Sequence, residues 1–277
     1  TRSPARRPRR RRRLAYPSTM GAPPYVDGHG LLAGKVVVVT AAAGAGIGSA
    51  VATRAVEEGA TVVVSDVHER RLAEAADALE ALGGSRPLAC LCDVRDEAQV
   101  QNLLDAAVAE HGRLDVLVNN AGLGGDTRLV DMDDEEWDRV LDITLTGTMR
   151  CTRAALRIME AQGHGVIVNN ASVVGWRAQA GQTHYAAAKA GVMALTRCSA
   201  VEAAGSGIRI NCVSPSLAMH PFLARTSSEE LLASLVDGEA FGRAAEPWEV
   251  ANVVVFLASD YSSYMTGEVV SVSSQHP

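Results

Sequence analysis

No apolar run in this 277-residue chain reaches the roughly 18 residues that a membrane-spanning helix needs. The positively charged start is not followed by the apolar core of a secretory signal, so the expectation is a soluble, cytoplasmic protein. Cysteine is scarce and odd in number: Cys90, Cys92, Cys151, Cys198 and Cys212 sit mostly inside apolar segments, where the thiol behaves as a small hydrophobe. Cys90 and Cys92 would share one face of a strand, but no second Cys or His pair accompanies them, and no metal site is expected. Lysine is nearly missing, with two residues against 24 arginines. Residues 1–26 carry eight arginines and no acid, and because the whole chain stands at −6 the remainder carries −14. A body of that sign is not expected to bind nucleic acid. The tail itself has too few apolar residues to fold, so residues 1–26 are read as a disordered, Arg-rich tail. A basic arm for nucleic acid or a membrane surface, and a natural start at Met20, are the other readings of that stretch.

A hydrophobic content of 47% is enough to build the core of one α/β domain over residues 27–277. Short, β-branched segments alternate with helical ones: strands at Lys35–Thr40, Ala60–Asp66, Leu88–Asp93, Asp115–Asn119, Val166–Ala171, Ile208–Val213 and Glu268–Val272. Between them, helices are expected at Ser49–Glu58, Glu69–Leu82, Glu97–His111, Asp134–Gln162, Tyr185–Ala204 and Pro247–Ser259. Such alternation implies a seven-stranded, doubly wound parallel sheet of Rossmann type, with ligands bound at the carboxyl ends of the strands. The connection at about 217–246 is too long for a simple loop. It has its own helical stretch at Ser227–Val236 and reads as a substrate lid.

Two stretches carry chemistry. Between the first strand and first helix, Gly44, Gly46, Ile47 and Gly48 form a turn whose glycines let backbone approach a pyrophosphate at a helix N-terminus. Asp66 then ends the second strand, where a carboxylate accepts from ribose hydroxyls and repels a 2′-phosphate, which favours NAD over NADP. Farther on, Tyr185 and Lys189 are four apart in an Ala-rich helix and share one face. A phenol titrates near 10, so it exchanges protons at neutral pH only if a neighbouring charge stabilises the phenolate, and Lys189 can supply that charge. Ser172 closes the fifth strand, beside the same ligand edge. Three side chains would then handle one proton and one oxygen.

With Asn119-Asn120-Ala121-Gly122 after the fourth strand, and Ser172 thirteen residues before Tyr185-x-x-x-Lys189, the chain resembles the short-chain dehydrogenase/reductase family from Lys35 to about Val272. Cys92-Asp93-Val94, Arg209 to Pro215, Phe256 to Asp260 and Thr266-Gly267 are further matching pieces. The resemblance implies NAD(P)-dependent interconversion of an alcohol and a carbonyl, usually in a homodimer or homotetramer. It casts Tyr185 as general acid/base, Lys189 as its partner and a ligand of the nicotinamide ribose, and Ser172 as hydrogen-bond partner of the substrate oxygen. Asn119, Ala121 and Gly122 would line the cofactor groove, Asp93 and Val94 would lie near the adenine, and Pro215 near the nicotinamide.

Four places depart from the family pattern. Ala41-Ala42-Ala43 precede Gly44, which makes the first turn one residue longer and removes its early glycine. Thr144 replaces the active-site Asn, and its hydroxyl is expected to hold the proton-relay water. Pro215-Ser216 replaces Pro-Gly, with His220 where a Thr usually stands, and Ser273-Ser274-Gln275 replaces the closing Asp-Gly-Gly. Together with Gly28 to Leu32, Asn169-Asn170-Ala171-Ser172 and Glu268 to Gln275, these resemble an actinobacterial branch associated with breakdown of steroid C and D rings, whose substrates are hydrindane acyl-CoA thioesters. Trp176, Met219, Phe222 and Leu223 would then form an apolar wall for a fused ring, and Arg177 and Arg225 would meet coenzyme A phosphates. A 3-oxoacyl-thioester reductase, and a dinucleotide-binding protein without turnover, are the competing readings.

Overall fold

The computed structural model describes residues 21–219 and 229–275. Seven strands, β1 (Val36–Val39), β2 (Thr61–Asp66), β3 (Leu88–Leu91), β4 (Val116–Asn119), β5 (Gly165–Asn170), β6 (Ile208–Pro215) and β7 (Val269–Val272), form one sheet in the order β3-β2-β1-β4-β5-β6-β7. Every pairing is parallel. Each strand step sends one side chain to each face. Val37, Val39, Val62, Val64, Val116, Val118, Val166 and Val168 enter one core, and Val38, Val63, Leu117 and Ile167 enter the other. The first core is closed by helices α1 (Ile47–Glu57), α2 (Glu69–Gly83) and α8 (Pro247–Ala258). The second is closed by α3 (Glu97–His111), α5 (Gly147–Gln162) and α6 (Thr183–Ala203).

Sequential strands run outward from β1 through β2 to β3, then return to β4 on the other side of β1. The strand order therefore reverses between β1 and β4, and a crevice opens at their carboxyl ends. Residues that the chain delivers to that crevice come from Thr40 to Gly48, Asn119 to Gly122 and Asn170 to Ser172.

Two features differ from the sequence expectation. The long helix over 134–162 is divided into α4 (Asp134–Leu141), a π-helical turn (Asp142–Thr146) and α5. Such turns insert a residue into the helical ladder and concentrate at functional sites. Tyr25 and Val26, assigned to the tail, dock on α1. The Tyr25 hydroxyl donates to Glu57 at 2.6 Å, its ring lies under the Arg54 guanidinium at 5.4 Å, and Arg54 donates to the Val26 carbonyl at 2.8 Å. Within the long connection, α7 (Glu229–Asp237) lies on the expected helical stretch, and residues 220–228 lie outside the described ones. Among the described residues no helix is long and apolar enough to cross a membrane.

Candidate active site

The turn after β1 is built around a missing side chain. A Cβ at Gly48 would stand 2.3 Å from the Ala41 carbonyl oxygen and 2.4 Å from Asn120 Nδ2, so only glycine lets the first turn of α1 come this close to the strand ends. Gly44 takes φ of 121°, in the region that favours glycine. The early glycine that the family uses is Ala41, and it still adopts φ of 50°, the left-handed conformation. Gly46 caps α1 without any side-chain hydrogen bond, and the first turn of that helix carries no acid. Free amides and a positive helix end therefore face the crevice, which fits a pyrophosphate.

Asp66 is nearly buried at the end of β2. Its carboxylate accepts from the Ala43 amide at 3.2 Å and from the His68 amide at 3.0 Å, which ties the glycine turn to the second strand. Burial pushes this carboxyl upward, and the Ala43 bond and the Arg71 charge pull it back. Its remaining acceptor positions suit hydroxyl donors. Asp93 is occupied differently from what the resemblance implied. Arg95 grips both of its oxygens at 2.6–3.1 Å and holds the carboxyl below its ordinary range. Val94 turns its side chain into the core, against Gly147.

Asn119, expected to line the groove, directs its side chain away from it. The Asn119 amide donates to Thr152 Oγ1 at 3.0 Å and Asn169 Oδ1 at 2.9 Å, inside the protein. The groove is instead organised by Asn120, which sequence reasoning passed over. Its amide donates to the carbonyls of Thr40 and Ala41 at 3.2 and 3.1 Å, and its oxygen accepts from Asn170 at 3.0 Å. Thr40 Oγ1 accepts in turn from the amides of Asn120 and Ala121, at 2.9 and 3.1 Å. A visible signal was available in the two Asn-Asn doublets at the ends of β4 and β5.

Lys189, Tyr185 and Ser172 come together as expected. Lys189 is buried, and its ammonium donates to the Asn170 carbonyl at 2.5 Å and sits 5.4 Å from the centroid of the Tyr185 ring. Ser172 begins a short 3₁₀ turn, Val173–Gly175, where its hydroxyl accepts from the Val174 amide and faces the Pro215 carbonyl at 3.5 Å. Burial pushes the Tyr185 phenol up to about 12, opposed by a hydrogen bond from Ser172, and burial draws Lys189 down to about 8. The lowering of the phenol expected from Lys189 does not appear: burial dominates, and Ser172 is what opposes it. Gly122 borders this cluster: a Cβ there would meet Lys189 Nζ at 3.4 Å, an ordinary contact distance.

Thr144 is tied to the loop after β4. It lies in the π turn, fully buried, where its hydroxyl donates to the Leu123 carbonyl at 3.0 Å and accepts from the Leu123 amide at 2.9 Å. A hydroxyl has one proton to give, and here it is spent. Thr144 therefore positions the loop after β4, and one acceptor lone pair of its hydroxyl is left for a further donor. His220, Phe222, Leu223 and Arg225 lie outside the described residues; Met219 and Trp176 flank the same edge of the sheet.

An uncapped helix start beside a glycine turn, a strand-end carboxylate, and a Ser-Tyr-Lys cluster across the strand reversal fit a dinucleotide and a carbonyl or alcohol together. The Asn170 Oδ1 oxygen, buried and without a partner, marks one more acceptor available there. Residues 41–274 match the family model described as enoyl-(acyl carrier protein) reductase. The chain belongs to the short-chain dehydrogenase/reductase family. It is an oxidoreductase of the type that acts on CH–OH groups. It is 68% identical over 257 residues to the Mycobacterium tuberculosis (5R,7aS)-5-hydroxy-7a-methyl-1-oxo-2,3,5,6,7,7a-hexahydro-1H-indene-carboxyl-CoA reductase, covering 92% of this chain and 98% of that one. It is 40% identical to the Thermotoga maritima 3-oxoacyl-acyl-carrier-protein reductase FabG, covering 87% and 97%. A short-chain dehydrogenase from Mycobacterium smegmatis has the same fold, with a TM-score of 0.83 and 63% identity over 93% of this chain and 99% of that one.

Proposed function

We propose that this short-chain dehydrogenase/reductase uses NAD to interconvert a secondary alcohol and a ketone on a hydroxylated alicyclic acyl-CoA, of the kind left by steroid C and D rings. The observation that carries the substrate class is the 68% identity to a reductase named for an indene-carboxyl-CoA, against 40% to the 3-oxoacyl-acyl-carrier-protein reductase. Asp66 carries the cofactor choice, since a 2′-phosphate would meet a nearly buried carboxylate. Arg70, one of two cations nearby, is turned to Glu74 at 2.9 Å and is not aimed at that phosphate. We extend the proposal to a cytoplasmic homo-oligomer, dimer or tetramer.

The nicotinamide dinucleotide supplies the hydride acceptor or donor when bound. Everything else comes from this chain's own side chains and backbone. Ser172 holds the substrate oxygen by its hydroxyl, and Tyr185 moves the proton between its Oη and that same oxygen. A phenol raised to about 12 holds its proton and is a weak acid, so it must be lowered for the proton to pass readily in either direction. Lys189, fixed by the Asn170 carbonyl, is the fixed positive charge near enough to do so. Gly44, Gly46, Ile47 and Gly48 receive the pyrophosphate, Ala121 and Gly122 leave room along the groove, and Pro215 closes it beside Ser172.

Absorbance at the reduced-nicotinamide band tests this, with NAD and NADP offered separately to a hydroxylated hydrindane acyl-CoA and to a straight-chain 3-hydroxyacyl-CoA. Turnover with NAD and the ring thioester is expected. Turnover mainly with NADP and the straight chain would place the enzyme with the 3-oxoacyl reductases instead. In Tyr185→Phe, kcat should fall by about 10²–10⁴, the usual worth of a positioned proton donor. An unchanged kcat would remove the assigned chemistry.

A further inference from the structure

Beyond the reacting centre, one guanidinium is held in place without being neutralised. Arg177 follows the Ser172 turn, and together with Trp176, Ser271 and Gln275 it lines a cavity of about 490 Å³. Its Nη1 donates to Gln275 Oε1 at 2.5 Å. Gln275 is itself fixed from behind: its Nε2 donates to Glu239 Oε1 at 3.0 Å, while Ser274 Oγ donates to the other oxygen of that carboxylate at 2.6 Å. Glu239 is buried, and it also accepts from the Leu217 amide at 3.3 Å. A carboxylate only accepts, so it fixes which end of the Gln275 amide faces it and forces the amide oxygen outward onto Arg177.

The arrangement differs from the other arginines near the sheet edge. Arg95, Arg150 and Arg243 each lie within 2.8 Å of a carboxylate oxygen. Among the described residues, Arg177 makes no ion pair, and a neutral amide orients it with most of its five N–H donors unspent. Beside it the Trp176 indole is half exposed. A planar cation held by a fixed amide next to an exposed aromatic face matches a ligand with phosphate oxygens and a ring that stacks.

We propose that the Trp176–Arg177 cavity is the subsite for the phosphate-bearing nucleotide end of coenzyme A, with Gln275 and Glu239 as its positioning residues. The proposal rests on the acyl-CoA reading above and adds to it the residues that recognise the carrier. It also gives a role to Ser273-Ser274-Gln275, which replaces the family's closing Asp-Gly-Gly: Ser274 holds Glu239, and Gln275 connects Glu239 to Arg177.

Calorimetric titration of coenzyme A and of pantetheine, which lacks the phosphates, into the full chain holding its nicotinamide cofactor tests the subsite. Coenzyme A should bind the natural protein, and Arg177→Ala should weaken it by about tenfold or more, as for loss of a charge-assisted hydrogen bond. The dependence of that affinity on salt should flatten, and pantetheine should shift less than about twofold. Arg177→Lys, which keeps the charge on a surface side chain, should recover part of the loss, and Gln275→Ala should give a smaller loss of about threefold. Absence of coenzyme A binding by the natural protein would overturn the subsite. So would equal affinity in Arg177→Ala, or an equal loss for pantetheine. Failure of the substrate reading is distinct: coenzyme A binding that depends on Arg177, without turnover of the ring thioester, would leave the subsite and remove the substrate.

Discussion

Two Asn-Asn doublets end neighbouring strands in matched register, Asn119-Asn120 on β4 and Asn169-Asn170 on β5, and the four residues divide into two different devices. The first pair faces inward. Asn119 and Asn169 bond to each other and then to Thr152 on α5 and Thr196 on α6, at 2.9–3.0 Å, in an interior where both amides are buried. One residue later the side chains face the crevice. Asn120 and Asn170 bond to each other, to the carbonyls of Thr40 and Ala41, and, through the Asn170 carbonyl, to the Lys189 ammonium. A single step along a strand reverses the face a side chain occupies, so identical dipeptides supply one polar layer that locks helices to the sheet and another that shapes the site.

The sharpest way to separate the two devices is to break each alone. Lys189→Met removes the charge that the crevice pair holds, and kcat should fall by at least about 10²-fold while far-ultraviolet circular dichroism and the thermal midpoint stay close to the natural protein's. A large loss of folding would merge the two layers into one. Asn169→Ala attacks the inner pair. It removes two buried hydrogen bonds, leaving the Asn119 amide only its bond to Thr152 and the Thr196 hydroxyl only its bond to the Val192 carbonyl, and each lost bond is worth about 0.5–1.5 kcal/mol. Denaturant unfolding should show a loss of about 1–3 kcal/mol, with kcat of the folded protein within severalfold of normal. Conversely, a stable but inactive Asn169→Ala would show that the inner layer sets catalytic geometry directly.

Asn120→Ala is the intermediate case. It frees the Thr40 and Ala41 carbonyls at a partly open edge, so stability should fall by only about 1 kcal/mol, while the cofactor Kd should rise severalfold because the turn that receives the pyrophosphate loses its brace. Cofactor fluorescence quenching reads the second effect and thermal unfolding the first. An unchanged Kd with a large stability loss would place Asn120 with the inner layer.

What was legible in the chain follows the same division. The strand and helix alternation, the glycine turn and the Tyr185–Lys189 pair could be read because each rests on local spacing: a period of two, a period of 3.6, or a fixed offset within one helix. The doublets could be seen but not divided. Which Asn faces the cofactor depends on where β4 begins and on the pleat it shares with β1, a non-local property, and the groove was accordingly assigned to Asn119 when Asn120 occupies it. The partner of Thr144 was hidden for a related reason. A helix pattern from Asp134 to Gln162 gives no sign that five residues switch to π geometry, nor that Leu123, twenty-one residues earlier, will take the hydroxyl. Glu239 gave no signal at all, since its partners Leu217, Ser274 and Gln275 come from distant parts of the chain.

The smallest expected effect concerns the strand end that the crevice-facing pair braces. Ala41 holds φ of 50° while its carbonyl accepts from Asn120 and presses against Gly48. For a residue with a Cβ, this left-handed conformation costs roughly 1–2 kcal/mol, whereas glycine adopts it freely but loses more entropy on folding, by roughly 0.5–1 kcal/mol. The two nearly offset, leaving Ala41→Gly about 0.5–1 kcal/mol more stable, or a rise of a few degrees in thermal midpoint for a chain of this size. If Asn120 and Gly48 are what hold Ala41 in place, the gain should survive in an Asn120→Ala background only in part, because the turn is then free to relax out of the strained conformation. A double-mutant cycle measures that coupling. Strict additivity would show that the turn keeps its shape without Asn120, and that the crevice-facing pair serves Lys189 alone.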